Sequence, residues 1–406
     1  MMKSISITSL AASLLIFCHF SLLAQSRAAA TWKVQKYDLE VTLPQDGSRA
    51  INAKAVLNLR NASSAAAGTL TLRISPLADV TSVRINDATA DFTKNEEKVN
   101  PATTLQRIIL RFAPVAPGAS LTAVVDYKLN VKENTALSSV SPTFTQFLPL
   151  SFWYPTPNSW YFTQGADSAP YRLKVNAPAA STVISSGNEA GGIYEQKTPG
   201  QPFFSSGQWE TSSQNGISVY SPRGTGADGQ KRAAELASML SEANTFTAGM
   251  LGKGPDAPMR IVAVRKGAGY AGGGTVLVDE AVYRRSKIDS LTVMNIAEAA
   301  AKMWLGNTVA VTGEGYGTIT EGLSRYIATQ FIETKYGKDV ADVERLRQRT
   351  AYSAVSKRDA PMATVSPIDD YYYSEVANKG AMAWRILAKR VGATEFSSSL
   401  RANIQD

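Results

Sequence analysis

The 406-residue chain holds one cysteine and one histidine, Cys18 and His19, and both lie near its N-terminus. That region opens with Lys3, runs through an apolar stretch from Leu10 to Leu23 and closes on Ala28-Ala29-Ala30. The layout is that of a secretory signal peptide over residues 1–30, with cleavage expected after Ala30. The stretch is too short and too interrupted for a membrane span, so no integral span is expected after cleavage. The exported chain, periplasmic or extracellular, would then carry neither thiol nor imidazole. Disulfides, Cys or His metal ligation, a Ser-His-Asp triad and a cysteine nucleophile are excluded together.

Charge is sparse as well. Charged residues make up 19% of the chain, and the formal net charge of +8 falls to +6 once Lys3 and Arg27 are removed with the leader. The cations are scattered, with no dense Lys/Arg run, no interleaved basic and aromatic patch and no zinc-finger spacing, so no nucleic-acid partner is expected. There is no internal repeat and no low-complexity tract. Asn61-Ala62-Ser63 is a formal glycosylation sequon that chance explains. The glycine-rich segment Gly267 to Gly274 lacks the G-x-x-x-x-G-K-S/T spacing and precedes a strand, so it reads as a bend and not as a phosphate loop.

What the sequence does hold divides into two halves, expected as domains over residues 31–222 and 223–406. In the first, Tyr37, Leu39, Val41 and Leu43 alternate with polar residues, as do Ala55, Leu57 and Leu59, then Ile108, Leu110 and Phe112, then Leu121 to Leu129. Short runs of period two between Gly, Asn, Ser and Pro clusters predict antiparallel sheets with one buried face, a β-sandwich or saddle. The aromatic clusters Phe152-Trp153-Tyr154 and Trp160-Tyr161-Phe162 read as core or seam anchors in preference to a ligand platform. In the second half, Leu236, Met239, Leu240, Ala243 and Met250 follow helical spacing up to Gly252. Strands are predicted over Arg260–Arg265 and Thr275–Val278, then helices over 290–305, 320–336, 340–356 and 373–391. The class is α+β, a β domain followed by a mainly helical one.

Four segments of the second half carry a resemblance. They are Ala297-Glu298-Ala299-Ala300-Ala301-Lys302-Met303-Trp304-Leu305-Gly306-Asn307, Ile319-Thr320-Glu321-Gly322-Leu323-Ser324-Arg325-Tyr326, Lys335-Tyr336-Gly337 and Asn378-Lys379-Gly380-Ala381-Met382-Ala383-Trp384. Together they resemble the aminopeptidase N family of gluzincin metallopeptidases, whose pattern is H-E-x-x-H, then W-F-G-N, then N-E-G-F-A-x-Y. Trp304 to Asn307 match the second element and Thr320 to Leu323 the third. The register sets Glu298 and Lys302 at the two ligand histidines, Ala299 at the catalytic glutamate and Glu321 at the third ligand. Residues 303–320 supply the eighteen-residue spacing of the family. Asp38 to Val41, Lys54 to Leu59 and Trp153 to Thr156 resemble the family's N-terminal saddle.

The resemblance implies a β-saddle followed by a thermolysin-like domain that is C-terminally shortened, and zinc as the family's cofactor. It also exposes losses. Ligands at i and i+4 of one helix grip one ion, and the following glutamate deprotonates the bound water. Here only Glu321 persists. The tyrosine of the family's Y-E-K-G-A pattern is replaced by Ala377, and the amine-binding loop like G-A-M-E-N is replaced by Lys266 to Gly273, without a carboxylate. No catalytic residue, metal ligand or cofactor is therefore expected. Glu298, Lys302, Glu321, Tyr270 and Tyr373 are candidate cleft-lining residues. Lys302 is expected between Glu298 and Glu321 in place of the metal, with the pocket left net negative. The functional expectation is an exported pseudo-peptidase with a peptide or protein ligand. Two alternatives stay open: an active metalloaminopeptidase with noncanonical ligands, and an incomplete or nonfunctional gene product.

Overall fold

Alternating apolar side chains form the first layer. In this computed structural model, which describes residues 30–101, 103–157, 168–265, 271–306, 309, 311 and 313–405, the expected strands become Trp32–Thr42, Ala50–Asn61, Thr104–Val115 and Ser120–Asn130. The expected signal peptide with Cys18 and His19, the Trp160-Tyr161-Phe162 cluster, Tyr270 with the Lys266–Ala268 loop, and Asn307 lie outside the described residues. An eight-stranded sheet is centred on Trp32–Thr42, which runs antiparallel to Ala50–Asn61 and parallel to Ala169–Asn176. Three-stranded and four-stranded sheets complete this β region. Tyr37, Leu39, Leu57, Leu59, Leu70, Leu72, Ile108 and Leu110 are all 0 or 1% exposed in its core. Alternation has put one face of each strand there.

The aromatic cluster belongs to that core. Trp153 is fully buried, packs edge-on to Tyr154 and Phe204, and donates its indole N–H to the Pro202 carbonyl at 3.1 Å. Its own carbonyl accepts from the Tyr127 hydroxyl at 2.8 Å.

A five-stranded sheet begins the second layer, in the order Trp209–Gln214, Ile217–Pro222, Arg260–Val264, Thr275–Asp279, Ala271–Gly272. The hairpin Trp209–Pro222, which the sequence reading sets in the first domain, hydrogen-bonds to Arg260–Val264 in this sheet. Ile217 and Val219 are buried with the helices, and that burial assigns the hairpin to the second core. Between the two layers Arg260 donates to the carbonyls of Ser185 and Gly187 at 2.7 and 3.0 Å, and the Thr275 hydroxyl donates to Ser185 at 3.2 Å.

Six α-helices are described: α1 Gly226–Leu251, α2 Ser290–Lys302, α3 Ser324–Tyr336, α4 Lys338–Ser353, α5 Gly380–Val391 and α6 Ala393–Gln405. Asp289 caps α2 by accepting from the Thr292 N–H at 2.8 Å. The run Ala297, Ala299, Ala300, Ala301 lets neighbours approach α2 closely, and all four are buried. The predicted spans 320–336 and 373–391 hold in extent, but each opens on a π-helical turn, Thr318–Leu323 and Tyr373–Lys379. The two turns cross at glycine. A Cβ on Gly322 would lie 2.7 Å from the Val376 carbonyl and 3.1 Å from the Gly380 Cα, so the backbones touch directly. Gly322→Ala is accordingly expected to lower the unfolding free energy by about 1–3 kcal/mol, read from the shift of a urea midpoint. An unchanged midpoint would show that the crossing relaxes without cost.

Candidate functional site

Glu298 and Lys302 stand one turn apart near the C-terminal end of α2, where a lysine complements the helix dipole. Glu321 lies on the first π-turn, and Arg325, four residues on, lies in the first turn of α3. Each element thus carries an acid followed by a base at i+4. The pairs form across, not along, the helices. The Lys302 ammonium donates to Glu321 Oε2 at 2.6 Å, both side chains being about a sixth exposed. Arg325 donates through Nε to Glu298 Oε1 and through Nη2 to Glu298 Oε2 at 3.2 Å, a bidentate pair on a carboxylate that is only 8% exposed. Its Nη1 donates to the Asn378 side-chain oxygen on the second π-turn. Two carboxylates and two cations close a square between α2 and α3, and the set is neutral.

The expected geometry is therefore changed at one corner. Lys302 reaches Glu321 as a metal-replacing cation would, but Glu298 is held by Arg325. The expected excess negative charge does not arise, because Arg325 supplies the second positive charge. The sequence reading gives Arg325 and Asn378 no role. The signal for Arg325 was in the sequence: Glu321-Gly322-Leu323-Ser324-Arg325 repeats the acid-to-base spacing of Glu298-Ala299-Ala300-Ala301-Lys302.

Electrostatics follow the geometry. Burial pulls the Lys302 ammonium downward, but Glu321, Tyr373 and Glu298 outweigh it and hold the group above the ordinary lysine value. Burial opposes the charge on Arg325 in the same way, and Glu298 reverses the outcome. Tyr373 stands at the start of the second π-turn with 53% of its surface exposed. The Glu321 carboxylate, followed by burial, pushes its phenol above the ordinary value, while Lys302 pulls the other way. The Tyr373 ring packs edge-on against that of Tyr372, with the centroids 5.3 Å apart.

Ala299 and Ala377 are fully buried, on α2 and on the second π-turn. Neither offers a polar atom beyond the backbone. Tyr270 lies outside the described residues. Asp370 takes the Arg358 guanidinium at 3.0 Å on each oxygen, and Asp369 accepts from the Ser366 N–H at 3.0 Å, so these acids serve surface pairing and a turn. Among the described residues no group of three or more His, Cys, Asp or Glu side chains is placed to hold a metal ion. No described helix is long and apolar enough to cross a membrane.

This β region followed by a helical layer, with the charged square between α2 and α3, has the fold of the M1 zinc metallopeptidases. The chain is similar to leukotriene A4 hydrolase of yeast bound to bestatin, with a TM-score of 0.73 and 16% identity over 96% of this chain and 65% of that one. It is also similar to the M1 zinc metallopeptidase of Deinococcus radiodurans, with a TM-score of 0.65 and 17% identity over 94% and 88% of the two chains. The chain spans about two thirds of the length of the yeast enzyme. At such identities the likeness is one of fold. No protein-family model matches the sequence, and no curated protein matches it.

Proposed function

We propose that this chain is an exported, catalytically inactive protein of the M1 peptidase fold that holds a peptide or protein ligand without cleaving it. The observation carrying this reading is the Lys302–Glu321 ion pair, formed by residues at two of the three positions where the resemblance sets zinc ligands. The third, Glu298, has both oxygens engaged by Arg325. Zinc does not fit this donor set, because an incoming dication would meet an ammonium and a guanidinium and would have to displace both from their carboxylates. Ala299 has no carboxylate to take a proton from water, and Ala377 has no hydroxyl to steady an oxyanion. Export rests on the leader-like residues 1–30.

The test uses the full exported chain, purified without chelator. Elemental analysis is expected to find no stoichiometric zinc, and fluorogenic aminoacyl amides are expected to remain uncleaved with or without added zinc. One zinc per chain together with chelator-sensitive turnover would overturn the proposal. Sequencing of the exported product should begin at Thr31.

A further inference from the structure

Helices α3, α4 and α5 line a half-open cavity of about 250 Å³, with Leu346 and Arg349 at its exposed rim, and none of the four charges of the square lines it. Its apolar lining comes from Leu346, Ala381, Met382 and the Tyr326 ring, and its charged lining includes Arg349 and Arg385. Two further cations nearby are committed. Arg345 bonds Asp342 at 2.7 Å and also Glu333, and Lys338 bonds the same Asp342. Arg349 and Arg385 have neither an ion pair nor a hydrogen bond among the described residues. The lining of this cavity therefore carries two guanidinium groups without a carboxylate partner among the described residues, Arg349 and Arg385, and a third, Arg345, already paired to Asp342.

Tyr326 supplies a third donor. It is 6% exposed, and burial pushes its phenol above the ordinary value with Glu333 acting in the same sense, against Arg345 and Arg385. The hydroxyl therefore stays protonated, and the residue lines the same cavity as Arg345 and Arg385. A guanidinium presents parallel N–H groups that match the two oxygens of a carboxylate. A bare inorganic anion would use the donors and leave the carbon surface of Leu346 and Met382 uncovered, whereas an apolar tail would cover it. The volume lies just under the range typical for drug-sized ligands, which sets the scale at a small molecule.

We propose that this cavity binds a small apolar carboxylate, its head on Arg349 and Arg385 and its tail against Leu346 and Met382. The site is separate from the charged square, so it stands whether or not the chain is a pseudo-peptidase. The probe is decanoate, titrated calorimetrically into the full exported chain, with decanol as the uncharged control. N-acetyl-leucyl-phenylalanine serves as the peptide-derived carboxylate, and whichever acid binds more tightly identifies the source of the ligand. Saturable binding of one carboxylate per chain is expected, with decanol at least tenfold weaker. Arg385→Gln and Arg349→Gln should each weaken binding roughly tenfold, the loss of a charge-assisted bond, while the melting temperature of Arg349→Gln is unchanged. Arg349 is exposed, so that variant decides the matter even if Arg385→Gln folds poorly. Failure of both acids to bind, decanol binding as tightly as decanoate, or affinity indifferent to Arg349→Gln would each overturn the assignment.

Discussion

Arg325→Met is expected to cost about 3 kcal/mol of unfolding free energy, because it leaves the Glu298 carboxylate buried without its guanidinium. The charge on Glu298 is 8% exposed, and Arg325 makes two of its hydrogen bonds. Lys302→Met should cost less, since Glu321 is about twice as exposed and retains access to water. The second half of the prediction is a rescue. Replacing both members of the buried pair, Glu298→Gln with Arg325→Met, should recover at least half of the loss, because the double variant buries no unpaired charge. Urea unfolding of the four proteins gives the cycle. A single variant within about 0.5 kcal/mol of the parent, which is the range of ordinary surface substitutions, would mean that the square is ornamental. A double variant as unstable as Arg325→Met would show that Asn378, which also loses its donor, is the costly orphan.

The legible parts of the fold were those with one buried face. Trp32–Thr42 and Ser120–Asn130 alternate because one side of each strand meets the core and the other meets water. Phe144–Phe147 and Phe204–Gly207 were harder to delimit, because every residue of both strands is buried and their Ser, Thr, Gln and Gly side chains carry no period-two signal. Helical spans were visible from spacing and from the glycines after them, Gly337 and Gly392, both at positive φ. The π-turns were not. They depend on the Gly322 to Gly380 contact between segments some sixty residues apart, and a periodicity window sees only one segment at a time. For the same reason the sequence pointed to Glu298, Lys302 and Glu321, and to Lys302 beside Glu321, but not to Arg325 as the partner of Glu298. Spacing along one helix makes Glu298 and Lys302 neighbours, yet the choice between intrahelical and crossed pairing is made by the second helix.

The largest effect is expected when the square is converted toward a metal site. Glu298→His with Lys302→His would restore two imidazoles at i and i+4 and free Glu321 as a third ligand. Such a protein should still bind zinc weakly. Arg325 loses its carboxylate in that variant, and its guanidinium remains beside the new imidazoles, where a dication would repel it. At an effective dielectric near 20 and a separation of about 6 Å, a dication and a single cation repel by roughly 5 kcal/mol, and rotation of the arginine toward Asn378 relieves part of this. Adding Arg325→Ala should therefore raise zinc affinity at least about 100-fold, measured by competition with a chromophoric chelator and by the zinc-dependent rise in melting temperature. Peptidase activity is expected in neither variant, because Ala299 and Ala377 offer neither a carboxylate nor a hydroxyl. Equal zinc affinity with and without Arg325→Ala would remove Arg325 from the argument. A 100-fold gain would place the decisive obstacle to metal on Arg325, a residue outside the three positions at which the resemblance sets ligands, so that histidines at 298 and 302 alone do not make a zinc site at this crossing.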